Sequence, residues 1–273
     1  MRSEQDAGQQ TDTPAEVALE AIMAFNRKER YHLIRHAVTG GPWSLTDAFR
    51  SELERETGAG RIPDNAYVAM DYHLNWIAAA LEIAKMSQLP SDDPSHVRDV
   101  EAAAEPNLSF NNKYEDGEGQ HKDPRVLVGN QEDTDLLVAF IDGHVLHLIL
   151  VEAKAGSDWT SDQIRSKGSR LGEIFGQAEP PSWVKPYFVL VGAPLGEGRR
   201  NPNFPDLTED CPAWFFAEPN GHMTSKDFEA RIPYLSMQPQ RQLFKPTRVS
   251  KSGKEWRVEK EASFAPNDSM TDE

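Results

Sequence analysis

Two apolar runs, residues 136–141 and 145–151, flank the dipeptide Asp142-Gly143. Asp-Gly between apolar runs is the strongest short-range signal for a β-hairpin. It constrains more than a turn. If Asp142-Gly143 is the two-residue loop, Ile141 faces His144 and Asp135 faces Leu150. Side chains alternate faces along a strand, so residues 148, 150, 152 and 154 share the face of Asp135. Glu152 is then a diagonal neighbour of Asp135, and Lys154 follows on the same face. The unbroken run 145–151 reads as a buried strand that delivers these charges to its end. Two carboxylates converging there are costly unless something neutralises them. A hard divalent cation does so with oxygen ligands and retained waters. Such an ion activates water and stabilises charge on a phosphoryl group. Lys154 adds a cation able to orient that water or hold a scissile phosphate.

The neighbouring segments extend the pattern. Residues 125–129 read as a short strand and 187–191 as a strand buried on both faces, with a helix at about 158–175 between them. The order β-β-β-α-β therefore spans about 124–192. Upstream, the apolar spacing predicts a helix over about 15–38 and a second from Ser44 to a stop at Gly58. A third is predicted over 63–85, with Tyr72, Trp76, Ala79 and Ile83 on one stripe and Leu74, Ile77, Leu81 and Ala84 on another. Its polar stripe holds Asp71, Asn75 and Glu82. Residues 87–123 carry nine Asp/Glu against three Lys/Arg and read as an acidic insertion, with a short helix at 96–105. Further on, 213–217 reads as a strand, and 243–250 with 255–259 as a second hairpin about Ser252-Gly253.

These readings divide the chain into a disordered tail at 1–14, a helical part at 15–62, a core at 63–194, a β-rich extension at 195–262 and a disordered tail at 263–273. No run is apolar enough to span a membrane, residues 1–14 lack the apolar stretch of a secretory signal, and the single Cys211 excludes an internal disulfide framework. A reducing cytoplasm is the expected compartment. Net charge is −15, which excludes a general nucleic-acid coat protein but not an enzyme with segregated charge. Segregation is visible. Residues 241–260 hold seven Lys/Arg against two Glu, a net of +5, which leaves −20 for the rest. Lys245 and Arg248, interleaved with Phe244 and Trp256, suit phosphate contact with base stacking. His32 and His36 have a zinc-compatible spacing without a third ligand and read as surface histidines.

Asp135, sixteen intervening residues and then Glu152-Ala153-Lys154 resemble the signature of the PD-(D/E)XK nuclease superfamily. The strand contexts, Thr134-Asp135-Leu136-Leu137-Val138 and Leu148 through Lys154, are similar too. The proline of the family name is replaced by Thr134. The resemblance implies an α/β fold with a restriction-endonuclease-like mixed-sheet core, αβββαβ, whose first helix is 63–85. It implies Asp135, Glu152 and the Ala153 carbonyl as ligands of Mg²⁺, for which Mn²⁺ substitutes, and Lys154 as the catalytic lysine. Many members carry a glutamine on the following helix, and Gln163 fits; Lys167 and Arg170 share its face and become candidate substrate contacts. An acidic residue on the first core helix is also common, and Asp71 is the candidate. The implied activity is hydrolysis of phosphodiester bonds by a DNA endonuclease, in a setting such as bacterial or phage defence. A bulk-acidic nuclease repels DNA, so a protein partner or a homo-oligomer is expected to help it engage substrate. The alternative is a catalytically silent member, or an acidic interaction or regulatory protein.

Overall fold

The structure is a computed structural model. It describes residues 12–39, 41–88, 132–154, 161–176, 179–192, 211–216, 232–237, 244–249 and 256–260. Helix α1 (Pro14–Phe25) begins at a capping box. The Thr13 hydroxyl accepts from the Glu16 N–H at 3.3 Å, and the Glu16 carboxylate accepts from the Thr13 N–H at 2.7 Å. Of the tail expected at 1–14, Thr13 and Pro14 belong to the capped helix, and residues 1–11 lie outside the described residues. The single helix expected at 15–38 is broken at residues 26–28. Asn26 is buried; its amide donates to the Tyr67 hydroxyl at 2.8 Å and its side-chain oxygen accepts from the Lys28 N–H at 3.3 Å. Such local bonds compete with the helical ladder. Helix α2 (Glu29–Ile34) then runs into a π-helical turn, Arg35–Thr39. Helix α3 (Asp47–Thr57) is capped by Thr46, two residues past the expected Ser44, and ends at Gly58, whose φ of 63° needs no Cβ penalty.

A five-stranded mixed sheet holds β1 (Tyr67–His73), β2 (Asp133–Asp142), β3 (Val145–Lys154), β4 (Val184–Gly192) and β5 (Tyr234–Ser236) in that spatial order. The first two junctions are antiparallel and the last two parallel. The chain is thus α/β. Helix α4 (Leu74–Ser87) follows β1 directly, so the helix expected at 63–85 is a strand and then a helix. The open edge of the β2–β3 hairpin needs a partner, and that pairing overrides the local helical period. The stripe Leu74, Ile77, Leu81 and Ala84 is buried as expected. Helix α5 (Ser161–Phe175) carries the chain from β3 to the parallel β4.

Both faces of the sheet are covered. One layer packs Ala15, Ala18 and Ile22 of α1, Ile77 and Leu81 of α4, and Ile164, Leu171 and Phe175 of α5 with Leu137, Leu148, Leu150 and Leu190. The other packs Leu53 of α3, Ile62 and Ala66 with Val138, Phe140, Ile149, Val151 and Val189. The helical part expected at 15–62 therefore supplies cover to both faces.

Of the strand expected at 213–217, residues 213–216 do not form one, and residue 217 lies outside the described residues. A 3₁₀ turn, Ala213–Phe215, follows Pro212 and stacks Phe215 on Phe188, with ring centroids 4.2 Å apart. The strands expected for the second hairpin pair antiparallel, as β6 (Phe244–Arg248) and β7 (Trp256–Lys260), and the turn expected at Ser252-Gly253 lies outside the described residues. The expected strand at 125–129, the helix at 96–105 and the acidic insertion beyond residue 88 lie outside the described residues, as does the tail at 263–273. Among the described residues no helix is long and apolar enough to cross a membrane.

Candidate functional site

The β2–β3 turn decides which charges meet. Asp142 pairs with Val145, so the loop is Gly143-His144 rather than Asp142-Gly143, with Gly143 at φ 62°. The expected register is corrected by two residues along β3, and a shift of two leaves every side chain on its face. Leu136 pairs with Val151. One step further along the same register, Asp135 stands directly opposite Glu152 instead of diagonal to it. Thr134 fastens this end: its buried hydroxyl donates to the Val151 carbonyl at 3.0 Å. The Ala153 N–H donates to Asp135 Oδ2 at 2.7 Å. Lys154 ends the same strand on the Glu152 face.

Glu152 is largely shielded from solvent. Burial raises its pKa, the nearby Lys167 ammonium opposes that rise, and the Asp135 carboxylate adds to it. Lys167 Nζ lies 2.7 Å from Glu152 Oε1 and donates to the Asp133 carbonyl at 2.7 Å. It thus ties α5 to the ends of β2 and β3. Gln163 is exposed one turn earlier on α5. Arg170 is buried at 4% exposure, donating to Asn75 Oδ1 of α4 at 2.7 Å and pairing with Glu173 at 2.8 Å. Its role is to join α4 and α5 within the fold.

Asp71 is on β1, not on a helix, and takes the left-handed φ of 48°. Met70 pairs with Leu136 and Tyr72 with Thr134, so Asp71 occupies the position across from Asp135. Ala69 and Tyr72 belong to the same core layer although strict alternation would separate them. The left-handed residue between them makes the switch and lets the Tyr72 hydroxyl donate to the Ile22 carbonyl at 2.6 Å. Arg30 lies 3.3 Å from Asp71, and Lys28 lies 2.6 Å from Asp133. Lys28 and Arg30 belong to no motif read from the sequence, whereas Asp133, beside Asp135, reads there as a solvated turn residue before the strand or a ligand of a second ion. A charge scan finds the first two: residues 27–35 hold four Lys/Arg against one Glu in an acidic chain. Arg248 is exposed on β6, in the separate two-stranded sheet, and the Lys245 side chain lies outside those described.

The site thus gathers Asp71, Asp133, Asp135 and Glu152 with Lys28, Arg30, Lys154 and Lys167 at one end of the five-stranded sheet. Among the described residues no group of three or more His, Cys, Asp or Glu side chains is arranged to hold a metal ion. Mg²⁺ does not require one: it is commonly held by one or two carboxylates, with waters and substrate phosphates completing its octahedron. The donors present fit such an ion, because Glu152 is largely shielded from solvent, faces a second carboxylate and has one ammonium, that of Lys167, in direct contact. No family model, curated protein or solved structure matches this chain.

Proposed function

We propose that the chain is a Mg²⁺-dependent nuclease of the PD-(D/E)XK type, acting on the phosphodiester bonds of DNA. The observation that carries this reading is the opposition of Asp135 and Glu152 at the end of two buried strands, with Lys154 two residues on. The strand senses add support: two antiparallel junctions, then a helical crossover to a parallel β4. The restriction-endonuclease-like reading expects these strand senses, and α4 between β1 and β2 departs from its αβββαβ order.

Asp135 and Glu152, with the Ala153 carbonyl, would hold the ion. Bound Mg²⁺ would lower the pKa of a coordinated water and offset charge on the phosphoryl group. Lys154 places an ammonium beside the carboxylates, where it binds a non-bridging phosphate oxygen and orients the attacking water. Gln163, exposed at the start of α5, would meet the substrate backbone. The catalytically silent reading rests on Lys167, whose ammonium already neutralises Glu152.

One experiment separates the two. The purified chain is incubated with plasmid, linear DNA and RNA in Mg²⁺, Mn²⁺ or EDTA. Cleavage of DNA in either metal, abolished by EDTA and by each of Asp135→Asn, Glu152→Gln and Lys154→Ala, is the expected result. No cleavage of any nucleic acid in either metal, or equal cleavage by all three variants, overturns the nuclease reading.

A further inference from the structure

We propose that residues 27–30, at the break between α1 and α2, form the surface that receives the phosphate backbone of DNA beside the metal-binding carboxylates. The inference rests on the nuclease reading above and adds to it the residues that admit the substrate. Its first ground is charge. A chain of net −15 repels a polyanion, so a nuclease of this composition needs a local concentration of cations next to its site. Residues 27–35 supply one: Arg27, Lys28, Arg30 and Arg35 against Glu29.

The second ground is placement. The break is a built feature. The buried Asn26 amide donates to the Tyr67 hydroxyl, and His32 Nε2 lies 2.9 Å from the Asn26 carbonyl oxygen. The first of these bonds anchors the break to β1, and the second ties it to α2. Lys28 reaches Asp133, two residues from Asp135, at 2.6 Å. Arg30 reaches Asp71, opposite Asp135, at 3.3 Å. The segment therefore borders the same end of the sheet as the Asp135–Glu152 pair.

The third ground is availability. The Arg30 side chain is 73% exposed, so its pair with Asp71 is an exposed contact that a phosphate can replace or join. Arg27 is exposed and has no ion-pair partner among the described residues. Lys28, at 23% exposure, is held by Asp133 and serves as the segment's anchor. Guanidinium groups suit this task because their planar donors match phosphate oxygens in pairs. Contacts of this kind read the backbone and not the bases, so they act on any sequence.

The test uses the full chain, a fluorescein-labelled DNA duplex and Mg²⁺, and compares wild type with Arg27→Gln/Arg30→Gln and Arg27→Lys/Arg30→Lys. The Gln pair should raise KM at least tenfold with kcat within twofold. It should also flatten the dependence of log affinity on log salt by roughly 1.8, about 0.9 for each phosphate no longer neutralised. The Lys pair keeps the charge and should retain most of the slope, which separates phosphate contact from a folding defect. A wild type that cleaves DNA beside a Gln pair with unchanged KM and slope overturns this surface and leaves the nuclease reading standing. A wild type that neither binds nor cleaves DNA overturns both.

Discussion

Glu152 is the residue on which the opposing forces at the site converge. Burial and the facing Asp135 push its carboxyl toward protonation, and Lys167 is the ammonium in contact with it. The sign of the linkage follows. A carboxyl whose folded-state pKa is raised binds its proton more readily in the folded chain than in the unfolded one. Its contribution to stability is therefore greatest below the ordinary value of 4.5 and declines as pH rises through the elevated folded-state pKa. Lys167 limits that decline and also donates to the Asp133 carbonyl. Lys167→Met removes both interactions from positions about 15% exposed, and the cost should be on the order of 3 kcal/mol at neutral pH. Because the missing element is counter-charge, Mg²⁺ should restore part of the stability, and more in this variant than in wild type. Chemical denaturation with and without Mg²⁺ measures both quantities. Equal Mg²⁺ effects in the two proteins would separate Lys167 from the ion-binding carboxylates.

Helix α5 holds Lys167 in reach of Glu152, and its seating depends on a close approach. A Cβ added at Gly168 would overlap the Cys211 sulfur and come within 3.1 Å of the Cys211 Cβ. Gly168→Ala therefore sets helical propensity, worth about 1 kcal/mol in its favour, against overpacking that costs about 1–3 kcal/mol. The variant should be destabilised, with cleavage falling as Lys167 shifts. Cys211→Ala in the same chain should recover most of both, a coupling that a double-mutant cycle reads directly. Cys211 is thus a packing partner, and nothing in its local Asp-Cys-Pro context reveals a contact made across the fold. Legibility followed the range of the interaction. The hairpin, the burial of 145–151, the end of α3 at Gly58 and the face shared by Asp135, Glu152 and Lys154 depend on local periods and turn chemistry, and were readable. The exact loop was not, because Gly143 satisfies either placement; the two-residue correction kept the face and changed only the neighbour. β1 was hidden because Tyr67 through His73 become a strand only through pairing with β2, some sixty residues away. The break at Asn26 was hidden for the same reason, since its partner Tyr67 is 41 residues on.

At the scale of the whole molecule, the acidic charge, the two covered faces and the charged sheet end place one demand on the fold. The apolar layers must hold two like-charged carboxylates opposite each other in a chain that carries −15 overall. A cation at that end relieves the local repulsion, and because it binds the folded arrangement, it stabilises the cooperative unit by mass action. Mg²⁺ or Mn²⁺ should therefore raise the melting temperature, by the equivalent of about 2.7 kcal/mol once the free ion reaches roughly a hundred times its dissociation constant. Asp135→Asn should behave differently from wild type in two ways. Without metal it removes one charge while leaving an oxygen to accept from the Ala153 N–H, so it should be no less stable. With metal it should show little of the upward shift. Lys154→Ala supplies the contrast, since its ammonium is not a ligand: the metal-induced shift should persist while cleavage is abolished. Differential scanning fluorimetry over a Mg²⁺ series, with a monovalent salt series at matched ionic strength, distinguishes a bound ion from general screening of an acidic chain. A shift that monovalent salt reproduces in full, and that Asp135→Asn retains, would remove the metal from this site and with it the chemistry assigned to Asp135 and Glu152.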